Sequence, residues 1–142
     1  MQTFDRCGRA DTTQNGSYQI NLTVDQMQSF NEIVMDFNSY VQQQKFIEAI
    51  DKFYHPEVIS CENNGTPIVG IDRLRSEAEL FLKNTVIRRI EVVSLLIENG
   101  LSVTNWYYSF DNHQTGQVNR HQFSLQRWSG YKIIQEQHVF VP

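Results

Sequence analysis

Glu136 and His138 stand two residues apart in a C-terminal stretch, Tyr131 to Val141, rich in β-branched and aromatic residues. In a strand, that spacing puts both side chains on one face, roughly 6 to 7 Å apart by strand rise. Reading Ser129-Gly130 as a two-residue hairpin turn pairs Trp128 with Tyr131. Stepping outward then sets Leu125 opposite Ile134, Phe123 opposite Glu136 and His121 opposite His138, with Phe140 continuing the same face. Two imidazoles and a carboxylate thereby share a small area among apolar neighbours. Opposed side chains have Cβ atoms about 5 Å apart, so the two histidines can hardly both be charged, and one is expected to be neutral near pH 7.

Three chemistries compete for this cluster. Apolar surroundings raise a carboxyl pKa towards the range useful for acid/base work, while a protonated imidazole beside it pulls the value back down. A neutral imidazole next to a carboxylate can shuttle protons in enolisation, cyclisation or dehydration of a carbonyl compound. The same residues can equally form a satisfied hydrogen-bond network, since buried polar groups need partners whether or not they react. Two histidines and a carboxylate are also the facial set that holds iron or manganese. Strand geometry alone does not show convergent nitrogens, so no metal site is assigned.

These side chains need helices and strands to position them. The spacing of Met27, Phe30, Val34, Phe37 and Val41 predicts an amphipathic helix from Asp25, with Thr23 or Asp25 as its cap. Phe46, Ile47, Ile50, Phe53 and Tyr54 predict a second, shorter helix that His55-Pro56 stops. A short strand over Val58 to Cys61, a turn at Asn63-Asn64-Gly65 and a third helix from about Ile71 to Lys83 follow. Val86 to Ile97, Leu101 to Phe110, Gln117 to Trp128 and Tyr131 to Val141 read as strands separated by turn sequences. Helices first and strands after predict an α+β fold with an antiparallel meander. Trp106, Tyr108 and Phe110 are expected on the inner side of their strand. Gln122, Ser124, Gln126, Trp128, Ile133, Gln135, Gln137 and Val139 are expected on the outer face.

Composition narrows the function classes. With 142 residues, 40% of them hydrophobic and 20% charged, the chain can bury a core without staples. Residues 1–24 read as a flexible polar leader and 25–142 as one domain. A net charge of −4 with scattered basic residues gives no footprint for nucleic acid. No apolar run approaches the roughly 18 to 20 residues of a membrane span. Cys7 and Cys61 are the only cysteines, which suggests neither a disulfide framework nor a thiolate metal site, and fits the cytoplasm.

Residues Phe46 to Gly65, including Tyr54-His55-Pro56-Glu57, then Gly70-Ile71 and the closing Gln126 to Ile134, resemble the nuclear transport factor two-like superfamily, in its SnoaL-like and ketosteroid isomerase-like branch. The resemblance spans about Asp25 to the C-terminus. It implies a cystatin-like α+β cone, a curved antiparallel sheet wrapped around three N-terminal helices. It places Glu62 where the isomerases carry a carboxylate general base; a solvated carboxylate at a strand end is the competing reading. His138 falls near an acidic residue of the SnoaL-type cyclases. The isomerases' oxyanion donors would align with Phe123 and about Phe37, which cannot donate, and this disfavours steroid isomerisation.

The resulting expectation is a pocket for a small hydrophobic, carbonyl-bearing molecule, with cofactor-free acid/base chemistry by Glu62, His121, Glu136 and His138. Phe37, Phe53, Tyr54, Trp106, Tyr108, Phe110, Phe123, Leu125, Ile134 and Phe140 would line it. A noncatalytic binding module is the rival. A homodimer through the outer sheet face is the expected assembly.

Overall fold

The computed structural model describes residues 22–140; the predicted leader lies almost wholly outside them. Helix α1 (Val24–Gln42) begins at Thr23, whose hydroxyl accepts from the Gln26 backbone while the Gln26 side chain bonds back to the Thr23 N–H. Its buried stripe is Phe30, Val34, Phe37 and Val41, and Met27 is left exposed. Helix α2 (Phe46–Phe53) buries Ala49, Ile50 and Phe53. The chain turns extended at Tyr54, so strand β1 (Tyr54–Glu62) starts earlier than expected. Pro56 is tolerated there because the pairing of β1 with its neighbour is interrupted between Tyr54 and Ile59, where a missing N–H breaks no ladder bond.

A two-residue strand β2 (Ile68–Val69) and helix α3 (Ile71–Lys83) precede four long strands: β3 (Thr85–Glu98), β4 (Leu101–Asn112), β5 (Gly116–Ser129) and β6 (Lys132–Phe140). The sheet order is β2-β1-β6-β5-β4-β3. The meander β3 to β6 is antiparallel as expected, but β1 docks parallel to β6, which the sequence pattern does not announce. Among the described residues the fold is α+β, three helices and a curved, unclosed sheet. Phe30, Phe37 and Phe53 meet the Trp128 ring edge to face at 5.7, 5.8 and 6.4 Å, and this aromatic knot joins the helices to the sheet.

The β5–β6 register differs from the expected one and decides the site. Ser129 pairs with Lys132, so the two turn residues are Gly130 and Tyr131, both at positive φ, 54° and 66°. Trp128 pairs with Ile133, but Arg127 pairs with Gln135, which makes Ile134 an extra residue in β6. Positive φ at Tyr131 is unfavourable for a residue with a Cβ, yet this register buries Trp128 and Ile133 to 3% and 0% exposure. Burying two such side chains is worth roughly 4 kcal/mol, more than the strain of about 1 to 3 kcal/mol at one residue.

The consequence for β5 is an inverted face. Gln122, Ser124, Gln126 and Trp128 point inward, while Phe123 and Leu125 are 42% and 36% exposed and His121 is exposed beside Tyr107 on the outer side. In β6 the bulge restores the phase, so Glu136 lies inside as expected and His138 accompanies it. The expected opposition of His121 to His138 is replaced by Ser124 opposite His138 and Gln126 opposite Glu136.

Candidate functional site

A cavity of about 460 Å³ lies between the helices and the inner sheet face. Its aromatic wall comes from Trp106, Tyr108 and Phe110 on alternate positions of β4, with Phe37 from α1 and Tyr54 from β1. Phe53 is buried in the adjoining core instead. Phe123 and Leu125 lie on the outer face, and neither Ile134 nor Phe140 lines the cavity. Those corrections follow from the turn and bulge described above.

Glu136, 2% exposed, sits at the centre of the polar wall. Its Oε2 accepts from the Tyr54 hydroxyl at 2.5 Å and from the Gln126 amide at 3.0 Å. Its Oε1 accepts from the Ser60 hydroxyl at 3.1 Å and lies 2.9 Å from His138 Nε2. Behind it runs a chain of fixed polarity. The Trp128 indole can only donate, and does so to Ser102 Oγ at 2.9 Å; Ser102 therefore donates onward to Gln126 Oε1 at 3.0 Å. That contact turns the Gln126 amide nitrogen towards Glu136, so the tryptophan sets the donor direction two residues away.

Burial alone would push the Glu136 carboxyl up, but the charge of His138 and hydrogen bonds from His138, Gln126 and Tyr54 outweigh it and hold the group at about 2. Burial likewise pulls His138 down, and the Glu136 charge, the Glu136 hydrogen bond and the nearby Glu62 overcome it, leaving the imidazole raised. Each group thus favours the charged form of the other, the carboxyl lowered and the imidazole raised, in place of the neutral imidazole the sequence suggests. Burial, then the Glu136 charge, pushes the Tyr54 phenol well above its ordinary value, so it stays a donor. Tyr108 is raised for the same two reasons in the same order.

His138 Nδ1 lies 2.8 Å from Ser124 Oγ and 3.2 Å from Gln122 Nε2, and all three residues line the cavity. Glu62 also lines it, at the exposed end of β1, paired in register with His138. Two carboxylates of different character thus flank one imidazole: Glu136 buried and saturated with donors, Glu62 open to the cavity. His121 lies outside, its Nδ1 3.4 Å from Asn105 Oδ1. With the histidines on opposite faces, the two-histidine facial set does not assemble. Among the described residues, no group of three or more His, Cys, Asp or Glu is placed to hold a metal ion.

Sequence reasoning missed Ser60, Gln122, Ser124, Gln126 and Arg120. Ser60 was legible, because it shares a face with Glu62 two residues on. The β5 residues were hidden because alternation assigns the more apolar side to the core, and here the polar side serves the cavity. Cys61 is buried in β1; Cys7 lies outside the described residues.

No family model and no curated protein matches the chain. Solved structures do. A protein of Mesorhizobium loti described as a SnoaL-like polyketide cyclase superposes with a TM-score of 0.71 at 19% identity, covering 76% of this chain and 96% of that one. An LEH-like epoxide hydrolase of M. tuberculosis gives 0.67 at 10% identity, covering 81% and 84%. A protein of Catenulispora acidiphila with a ketosteroid isomerase-like fold, in complex with trimethylamine, gives 0.63 at 11% identity, covering 75% and 83%. The fold is shared with these SnoaL-like and ketosteroid isomerase-like structures, as the resemblance implied.

Proposed function

We propose that this chain is a small-molecule pocket protein that performs cofactor-free acid/base chemistry on a hydrophobic carbonyl compound, of the isomerase, cyclase or dehydratase type. The observation that carries the reading is the Glu136–His138 ion pair in the wall of an aromatic cavity, with a second carboxylate, Glu62, open to the same space. Glu136 acts through the imidazole: it fixes Nε2 and keeps the ring charged. His138 is the acid that protonates or hydrogen-bonds a carbonyl oxygen, and Glu62 is the base that takes the α-proton. The Tyr108 hydroxyl, in the same wall, supplies a neutral donor that Phe123 and Phe37 cannot.

The test is α-proton exchange. Cyclic and aryl ketones are incubated with the protein in D2O and followed by proton NMR, and loss of α-signals faster than in buffer is expected. The alternative, a cavity that holds its ligand without transforming it, draws on the saturation of Glu136 by protein donors, which a structural network also requires. Tight ketone binding with no exchange selects that alternative.

Dimerisation is proposed through the outer sheet face, with its residues corrected. Trp128 turns inward, and the exposed apolar side chains there are Phe123, Leu125, Val139 and Leu96. Sedimentation equilibrium should give a mass of two chains, and Phe123→Lys should shift it towards one; a wild-type mass of one chain refutes the dimer. Among the described residues no helix is long and apolar enough to cross a membrane. A cytoplasmic location is proposed from the sequence, whose two cysteines give no disulfide framework.

A further inference from the structure

Arg120 is the cation of this cavity that the chemistry above does not use. It lines the cavity from β5, in register with Tyr108 of β4. Its guanidinium carbon stands 3.6 Å from the centroid of the Phe140 ring and 5.5 Å from that of Phe110. One nitrogen, Nη2, donates to Gln122 Oε1 at 3.3 Å, a long bond. The Nε–H is buried and has no acceptor among the described residues. Arg75, Arg88 and Arg89 each pair with a carboxylate on the surface. Arg120 alone of these four faces the cavity, and no carboxylate lies within ion-pair distance of it among the described residues.

A guanidinium held partly out of water, with a donor unsatisfied, is costly to the folded protein, and an anion bound against it removes that cost. Burial already weakens its charged form, and Glu62 is the carboxylate whose field acts on it most. That negative charge nearby, with His138 already paired to Glu136, disfavours a dianionic phosphate and leaves room for a monoanion. Much of the remaining wall is apolar, with rings from Trp106, Tyr108 and Phe110, which suits a flat apolar body.

We propose that Arg120 is a binding residue that takes the carboxylate of an aromatic or alicyclic acid, whose apolar body fills the cavity beside Trp106 and Tyr108. This rests on the cavity being the ligand site, and it narrows the substrate class to carboxylic acids that also carry the reacting carbonyl. Gln122 bridges the two ends of the ligand site: it bonds Arg120 through Oε1 and lies against His138 Nδ1 through Nε2. A carboxylate on Arg120 therefore orients the rest of the molecule towards His138.

Calorimetric titration with 2-naphthoate and with its neutral isostere 2-naphthamide tests the assignment. Naphthoate should bind at least tenfold more tightly than the amide to the wild type. Arg120→Met, which keeps the stem over Phe140, should weaken naphthoate roughly 10- to 100-fold, the size of one charge-assisted contact, and leave the amide unchanged. Arg120→Lys should recover part of the loss, which separates a charge effect from a folding defect. Equal binding of acid and amide, or naphthoate affinity unaltered in Arg120→Met, overturns the role of Arg120 while leaving the cavity as a ligand site. Binding of neither compound overturns both.

Discussion

Glu136→Gln is expected to lower the unfolding free energy by about 3 to 5 kcal/mol, the usual cost of removing one partner of a buried ion pair. Urea denaturation followed by tryptophan fluorescence measures it directly, since Trp128 sits in the same network. The isosteric change leaves the volume intact but places an amide nitrogen against donors. Of the groups now facing the carboxylate, Tyr54, Ser60 and Gln126 all donate, and His138 would be left charged without a counter-ion. Asp36→Asn, which breaks the exposed pair with Lys52, is the control and should leave the midpoint where it was.

The pH dependence of that difference has a definite sign. Glu136 is held at about 2 against an ordinary 4.5, so its contribution is present above 4.5 and lost as pH falls towards 2. His138 is raised above 6.5, so its contribution is complete below 6.5 and lost as pH rises through the folded value. The two windows overlap between about 4.5 and 6.5, and there the wild type should exceed Glu136→Gln by the most. A difference that is flat from pH 4 to 9 would contradict the ion pair.

The second large effect is on chemistry. With any ketone whose α-protons exchange, Glu62→Gln and His138→Gln should each slow exchange about 100- to 10,000-fold, the range for removing a positioned acid or base. The two variants should differ in stability. Glu62 is exposed at the strand end, so its replacement should leave the urea midpoint unchanged, whereas His138→Gln strands Glu136 in the interior. His121→Gln, on the far face of the sheet, should change neither. If His121→Gln slowed exchange and Glu62→Gln did not, the assignment of the reacting face would be wrong.

The fold was largely legible in the sequence because its helices carry clean apolar stripes and its strands carry β-branched runs between turn residues. The interior was harder to read, and the difficulty sits in one hairpin. Ser129-Gly130 looks like the turn, but a turn there would send Trp128 outward. Shifting it by one residue buries Trp128 with Ile133, at the expense of a tyrosine in the left-handed region. The bulge at Ile134 then returns β6 to phase, which is why Glu136 and His138 were placed on the correct face while His121, Phe123 and Leu125 were not. A rule that buries the more apolar face fails on β5 because the polar face, Gln122, Ser124 and Gln126, is the one that serves Glu136 and His138. The parallel docking of β1 carries no local signal, yet it delivers Tyr54, Ser60 and Glu62 to the site.

The charge state of His138 tests the proposed chemistry most directly, and long-range nitrogen–proton NMR of the imidazole across pH 5 to 9 reads it. Both ring nitrogens of His138 should be protonated at pH 6.5, with a midpoint above that value, and the midpoint should drop in Glu136→Gln. A neutral ring at pH 6.5, or a midpoint indifferent to Glu136, would mean that the cavity wall holds no imidazolium and that the acid of the proposed reaction must be another group.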